Sequence, residues 1–119
     1  MHNYYTKDQI LDTLKTKNPF LFEIGFQIEE ISFAGPEISI SLRKKRDRIE
    51  FIYDQRGEFD IFLIKNKMFF FEKRYLLKLI IPADKYELLC KIKGLDLYDY
   101  LNHYSKTLEE FIKEENFFS

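Results

Sequence analysis

The chain has 119 residues, with 19 Lys plus Arg against 20 Asp plus Glu, 45% hydrophobic side chains, 18% aromatics and no Trp. Sparse Gly (4) and Pro (3) with balanced charge exclude collagen-like, low-complexity and charge-driven disordered classes. A net charge of −1 also excludes the broad basic field that non-specific binding to nucleic acid or anionic membranes needs.

Scaling of area with mass gives roughly 7,000 Å² accessible when folded against about 21,000 Å² extended, so one α+β domain spanning residues 1–119 can bury a core without metals or disulfides. Cys90 is the only cysteine, and the stretch from Met1 to Asp8 turns acidic before an apolar leader develops, which points to the cytoplasm. The longest apolar runs, Met68 to Phe71 and Leu76 to Ile81, fall far short of the ~20 residues that cross a bilayer, so no membrane association is expected.

Thr6 followed by Gln9 has the form of a capping box that opens a first helix with Ile10, Leu11 and Leu14 on its apolar stripe. Asn18-Pro19 should stop it, and Phe20, Leu21 and Phe22 then lead into a sheet. From Phe26 to Lys65 the period becomes two, in the runs FQIEEISF, EISISLRK, RIEFIYD and EFDIFLIK, the signature of an antiparallel meander. A three-residue loop Gln55-Arg56-Gly57 puts Tyr53 opposite Phe59, Phe51 opposite Ile61 and Ile49 opposite Leu63. The preceding hairpin, closed through Arg43 to Arg48, sets Leu42 against Ile49 and Ile40 against Phe51. Ile31 and Phe33 can face Ile40 and Ile38, but Phe26 and Ile28 have the wrong parity unless a β-bulge lies at Glu29-Glu30.

Met68 to Phe71 reads equally as a fifth strand or as the start of a helix, and Glu72 to Ile81 is a helix candidate ended by Pro82. Asp84 with Glu87 repeats the capping-box form before Tyr86, Leu89 and Cys90, and Gly94 is the expected C′ stop. Leu97, Tyr100, Leu101, Tyr104, Leu108, Phe111 and Ile112 recur at three and four, which specifies a closing helix packed on the sheet. The expected fold is therefore α+β: a two-layer arrangement of a four- or five-stranded antiparallel meander against N-terminal and C-terminal helices.

No catalytic motif stands out. The four glycines are isolated, so no phosphate-binding loop forms, and Cys90 among Leu88, Leu89 and Ile92 reads as a buried, inert thiol in mid-helix. Asp99 and His103 share a helix face, but two ligands do not make a zinc site; with His2 near the chain start, no metal or other cofactor is expected. The hairpin register places Asp54 directly opposite Glu58, with Asp60 and Glu50 along the same side, an arrangement that costs stability. Asp54, Glu58 and Asp60 are thus candidates for a hard-cation site or for paired acid/base carboxylates, against a reading in which Arg56 and solvent neutralise a hairpin end.

The same outward face carries Ile52, Phe62 and Ile64 where a solvated sheet face should be polar. Either the chain covers them itself, or Ile52, Phe62 and Ile64 with Asp54 and Asp60 form a protein contact with an apolar centre and an acidic rim. Arg43, Lys44, Lys45, Arg46 and Arg48 crowd a hairpin tip that could reach phosphates, although the aromatics follow core periodicities rather than forming a stacking platform for nucleic acid.

The order of elements, with the LFEIGF segment, the YDQRGEF hairpin and the closing YLNHYSKTLEEFIKEENFF helix, resembles small bacterial proteins of the immunity-protein type. That resemblance implies a non-enzymatic protein that neutralises a toxin by occluding it. Immunity proteins against nucleases are often strongly acidic, and the net charge of −1 departs from that pattern. A protein partner such as a toxin domain is expected, and a homo-oligomer is compatible with the sequence.

Overall fold

The structure is a computed structural model that describes residues 5–68 and 71–118. Helix α1 (Lys7–Lys17) starts at Thr6, whose hydroxyl accepts the Gln9 N–H, while the Gln9 side chain accepts a bond from the Tyr98 hydroxyl instead of closing the capping box. Asn18 ends α1 as expected, but the segment after it is not a simple lead-in. Pro19 occupies the first position of a short helix, α2 (Pro19–Glu23), where its fixed φ suits the turn and its missing N–H costs nothing. Phe20 and Leu21 are buried by that turn, and the Asn18 amide is buried donating to the Leu101 carbonyl at 3.3 Å.

Five strands follow, β1 (Gln27–Ala34), β2 (Glu37–Lys44), β3 (Asp47–Asp54), β4 (Glu58–Met68) and β5 (Phe71–Leu76), in one antiparallel sheet ordered as in the chain. Each register derived from the sequence is present, including Tyr53 opposite Phe59, Phe51 opposite Ile61 and Ile40 opposite Phe51. The parity conflict in β1 is resolved at Glu29: Ile28 pairs with Leu42 and Glu30 with Ser41, leaving Glu29 as the extra residue.

Between Met68 and Phe71 the described residues belong to strands, while residues 69 and 70 lie outside them. The helix expected over Glu72 to Ile81 is largely replaced by β5, and only α3 (Leu77–Ile80) is helical. Pairing of Leu63 with Tyr75 and Phe62 with Leu76 satisfies backbone groups that would otherwise line an open edge of β4, and this long-range gain overrides the local helical reading.

Helix α4 (Ala83–Cys90) starts from Pro82 without a side-chain cap; Asp84 sits inside its first turn rather than before it, favoured there by the helix dipole. Its C-cap is Lys91, so Gly94 (φ +69°) belongs to the following loop and is not the helix stop. Cys90 is accordingly the last residue of α4 and half-buried, neither mid-helix nor sealed in the core. Helix α5 (Leu97–Glu114) is capped by Asp96 and buries Leu97, Tyr100, Leu101, Tyr104, Leu108 and Ile112. Among the described residues no helix is long and apolar enough to cross a membrane.

The two layers meet on one side of the sheet. Rows such as Ile31, Ile40, Phe51, Ile61 and Ile28, Leu42, Ile49, Leu63, Tyr75 run across the strands and pack with the buried stripes of α1 and α5 in one apolar cluster.

Candidate functional site

The opposite face of the sheet is also ordered in rows, fixed by the same pairing. Glu37, Asp54 and Glu58 lie side by side on β2, β3 and β4; the next row is Ser32, Ser39, Ile52 and Asp60. A third row holds Glu30, Ser41, Glu50, Phe62 and Leu76, and a fourth holds Gln27, Arg43, Arg48, Ile64 and Arg74. Paired side chains share a face, so one end of this surface carries three carboxylates abreast and the other end three arginines. Glu37 was not singled out from the sequence, although the register that set Leu42 against Ile49 already placed it opposite Asp54.

Ile52, Phe62 and Leu76 are half-buried, and among the described residues none belongs to the apolar cluster or to the partly buried groups packed against it. Ile64 differs and corrects the expected contact set: its side chain is fully buried. Its neighbours in the row are Arg48 and Arg74. Arg74 on β5 reaches across β4 to Glu50 on β3 at 2.8 Å, its guanidinium 4.9 Å from the centre of the Phe62 ring. Arg48 grips Glu50 at 3.4 Å and also bonds Glu72. Ile64 is thus not available to a partner, although its parity places it on the outer face. The candidate contact therefore contracts to Ile52 and Phe62 with Asp54 and Asp60, bordered by Glu37 and Glu58.

The hairpin end that carries the acids is held rigidly. Gly57 adopts φ +106°, a left-handed conformation that a side chain would strain, and a Cβ there would stand 3.3 Å from the Gly94 Cα. The Tyr100 hydroxyl donates to the Gly57 carbonyl at 2.5 Å, and its ring stacks on Phe59 with centroids 5.0 Å apart. The Tyr53 hydroxyl donates to the Leu95 carbonyl at 3.2 Å and accepts from Tyr5, tying β3 to the loop before α5. Burial and the Tyr5 bond push the Tyr53 hydroxyl well above its ordinary pKa, so it stays protonated.

Asp54 receives the Arg56 side chain at 2.6 to 3.1 Å and the Arg56 backbone N–H at 2.9 Å. These bonds to the charged form bring the carboxyl down to about 2. Asp60 pairs with Lys78 at 3.4 Å, and the same ammonium donates to the Phe59 carbonyl at 3.2 Å. Burial alone would lower the Lys78 pKa, but the neighbouring Tyr104 oxygen and Asp60 outweigh it and hold the group above its ordinary value. Asp54 and Asp60 are thus each engaged by a different cation, and among the described residues no group of three or more metal-type ligands is positioned to hold an ion. A cleft of about 550 Å³ opens beside the hairpin end, lined by Glu58, Phe59, Asp60, Lys78, Cys90 and Tyr100.

The basic hairpin tip is partly neutralised from within. Arg43 pairs with Glu29 and Arg48 with Glu50 and Glu72, while Lys45 is exposed with φ +56°. Lys44 lays its stem against Gly25, and Asp47 accepts the Asn66 N–H at 3.3 Å. The five basic residues Arg43, Lys44, Lys45, Arg46 and Arg48 therefore share their neighbourhood with four acids, which weakens any field they present to a phosphate chain. Asp99 and His103 are both exposed on α5.

No protein-family model matches the chain, and neither the curated proteins nor the solved structures contain a significant match to it.

Proposed function

We propose that this chain is a non-enzymatic, cytoplasmic protein-binding module of the immunity type, which occludes a basic protein partner such as a toxin domain through the outer face of its sheet. The observation that carries this reading is the set Ile52, Phe62 and Leu76, large apolar groups outside the core cluster and beside a row of carboxylates. The core cluster does not include these apolar groups, and the adjacent acids are only partly neutralised by Arg56 and Lys78. Both features favour association. Desolvating Ile52 and Phe62 supplies affinity, while Glu37, Asp54, Glu58 and Asp60 steer a cationic surface and fix its orientation. The lone, half-buried Cys90 agrees with a reducing compartment.

The test is co-expression with the polypeptide encoded by the adjacent reading frame. Co-purification that is lost in Phe62→Asp, with the variant still folded, supports the reading. Absence of association at micromolar concentrations, or association indifferent to Phe62→Asp, contradicts it.

A further inference from the structure

The outer face is polarised as well as apolar at its centre, and that polarity is arranged to fit itself. The acid row (Glu37, Asp54, Glu58 on β2 to β4) and the arginine row (Arg43 on β2, Arg48 on β3, Arg74 on β5) lie at opposite ends of the sheet, with the Ile52 row and the Phe62 row between them. Glu37 and Arg43 are six positions apart on β2, which corresponds to about 20 Å of extended chain. A two-fold axis lying between two stacked sheets and running across the strands exchanges the ends. It sets the acid row of one copy over the arginine row of the other, with Ile52 and Phe62 of both copies in the middle.

We propose that the free protein pairs with a second copy of itself through this face, and that the partner proposed above must displace that copy. The inference rests on the reading that the outer face docks protein, and it adds a regulation of that same surface. Charge complementarity favours a second copy as occupant. The acid end sets Glu37, Asp54, Glu58 and Asp60 against the cations Arg56 and Lys78, whereas at the other end Arg43, Arg48 and Arg74 are met by Glu29, Glu50 and Glu72 and the exposed tip residue Lys45 leaves an excess of positive charge. The internal ion pairs do not exhaust the arginines, because a guanidinium has five N–H donors and each internal partner takes one or two.

The area is sufficient but not generous. Five strands at about 4.8 Å spacing and four rows give a face of roughly 24 by 24 Å, or on the order of 1,200 Å² buried in total. That lies at the lower limit of specific interfaces. The pair should accordingly be reversible, with micromolar affinity, and should yield to a tighter partner.

Sedimentation velocity of the full chain, from low-micromolar to several hundred micromolar, tests the proposal. The expected result is a monomer–dimer equilibrium that shifts to monomer as salt is raised. Glu37→Lys with Glu58→Lys, and separately Arg43→Glu with Arg74→Glu, should each weaken the dimer by about ten-fold or more. An equimolar mixture of the two double variants should form a heterodimer, because both end contacts are then attractive. Should the arginine variant fail to fold, the acid variant and the salt dependence of the wild type decide alone. A wild type that stays monomeric throughout overturns self-pairing and leaves the partner reading to the co-purification of Phe62→Asp. A dimer insensitive to salt and to every charge reversal that folds places the contact elsewhere, for example on the β5 edge, and also overturns the proposal.

Discussion

On the inner face of the sheet the row Ile31, Ile40, Phe51 and Ile61 contains no polar side chain, whereas one residue along the strands the row Ser32, Ser39, Ile52 and Asp60 mixes hydroxyl, apolar and acid. Phe51 and Ile52 are neighbours in sequence yet belong to different problems. Phe51 is 1% exposed inside the cluster shared with α1 and α5, and Ile52 is half-buried outside it. The inner face is what folding requires of a two-layer domain. The outer face carries half-buried apolar groups outside the core cluster and more carboxylates at one end than its cations neutralise, and that surplus is the structural basis for reading it as a docking surface.

Substitutions that treat the two faces alike test the contrast most strongly. Phe51→Ala should lower stability by about 3–5 kcal/mol, as for any large core aromatic, while Ile52→Ala should cost less than about 1 kcal/mol. Urea denaturation of both variants checks this, and equal losses would erase the distinction between the faces. Ile64 sharpens it. Although it points outward by parity, it is fully buried, so Ile64→Ala should cost about 2–4 kcal/mol and behave like an inner residue.

A smaller effect is expected where the helix layer holds the acid end in place. Tyr100→Phe keeps the ring on Phe59 but removes the bond to the Gly57 carbonyl, and should cost about 1 kcal/mol. Faster amide exchange at the 54–58 turn should accompany that loss. The smallest effect is pH-dependent. Asp54 has a folded pKa of about 2, below its ordinary value of 3.8, so its pairing with Arg56 stabilises the fold fully above the unfolded pKa. That contribution fades as pH falls through about 2, and the difference in melting temperature between wild type and Asp54→Asn should shrink over that interval.

Much of this architecture is legible in the sequence because a period of two admits a single parity. Once Phe51 faces Ile61, every other pair on the hairpin follows, and the failure of Phe26 and Ile28 to match calls for the bulge that Glu29 supplies. The acid row was legible by the same arithmetic, since Leu42 against Ile49 implies Glu37 against Asp54. The region after Asn66 was not. Met68 to Phe71 reads as strand or helix and Glu72 to Ile81 reads as a helix, and only the pairing partner offered by the edge of β4 turns the segment up to Leu76 into a strand. Everything that depends on β5 is hidden with it: the reach of Arg74 across to Glu50 and the cation over Phe62. The helix α2 through Phe20 and Leu21 is hidden for a related reason, because a five-residue helix has too few turns to display a period.

The separation of folding from docking is tested most directly by the equilibrium stability of Phe62→Asp at a protein concentration low enough to suppress association. A cooperative transition within about 1 kcal/mol of wild type, with unchanged secondary structure, is the result expected of a residue outside the core. Loss of the folded state, or destabilisation of the size expected for Phe51→Ala, would show that the outer face is structural and remove the basis for reading it as a binding surface.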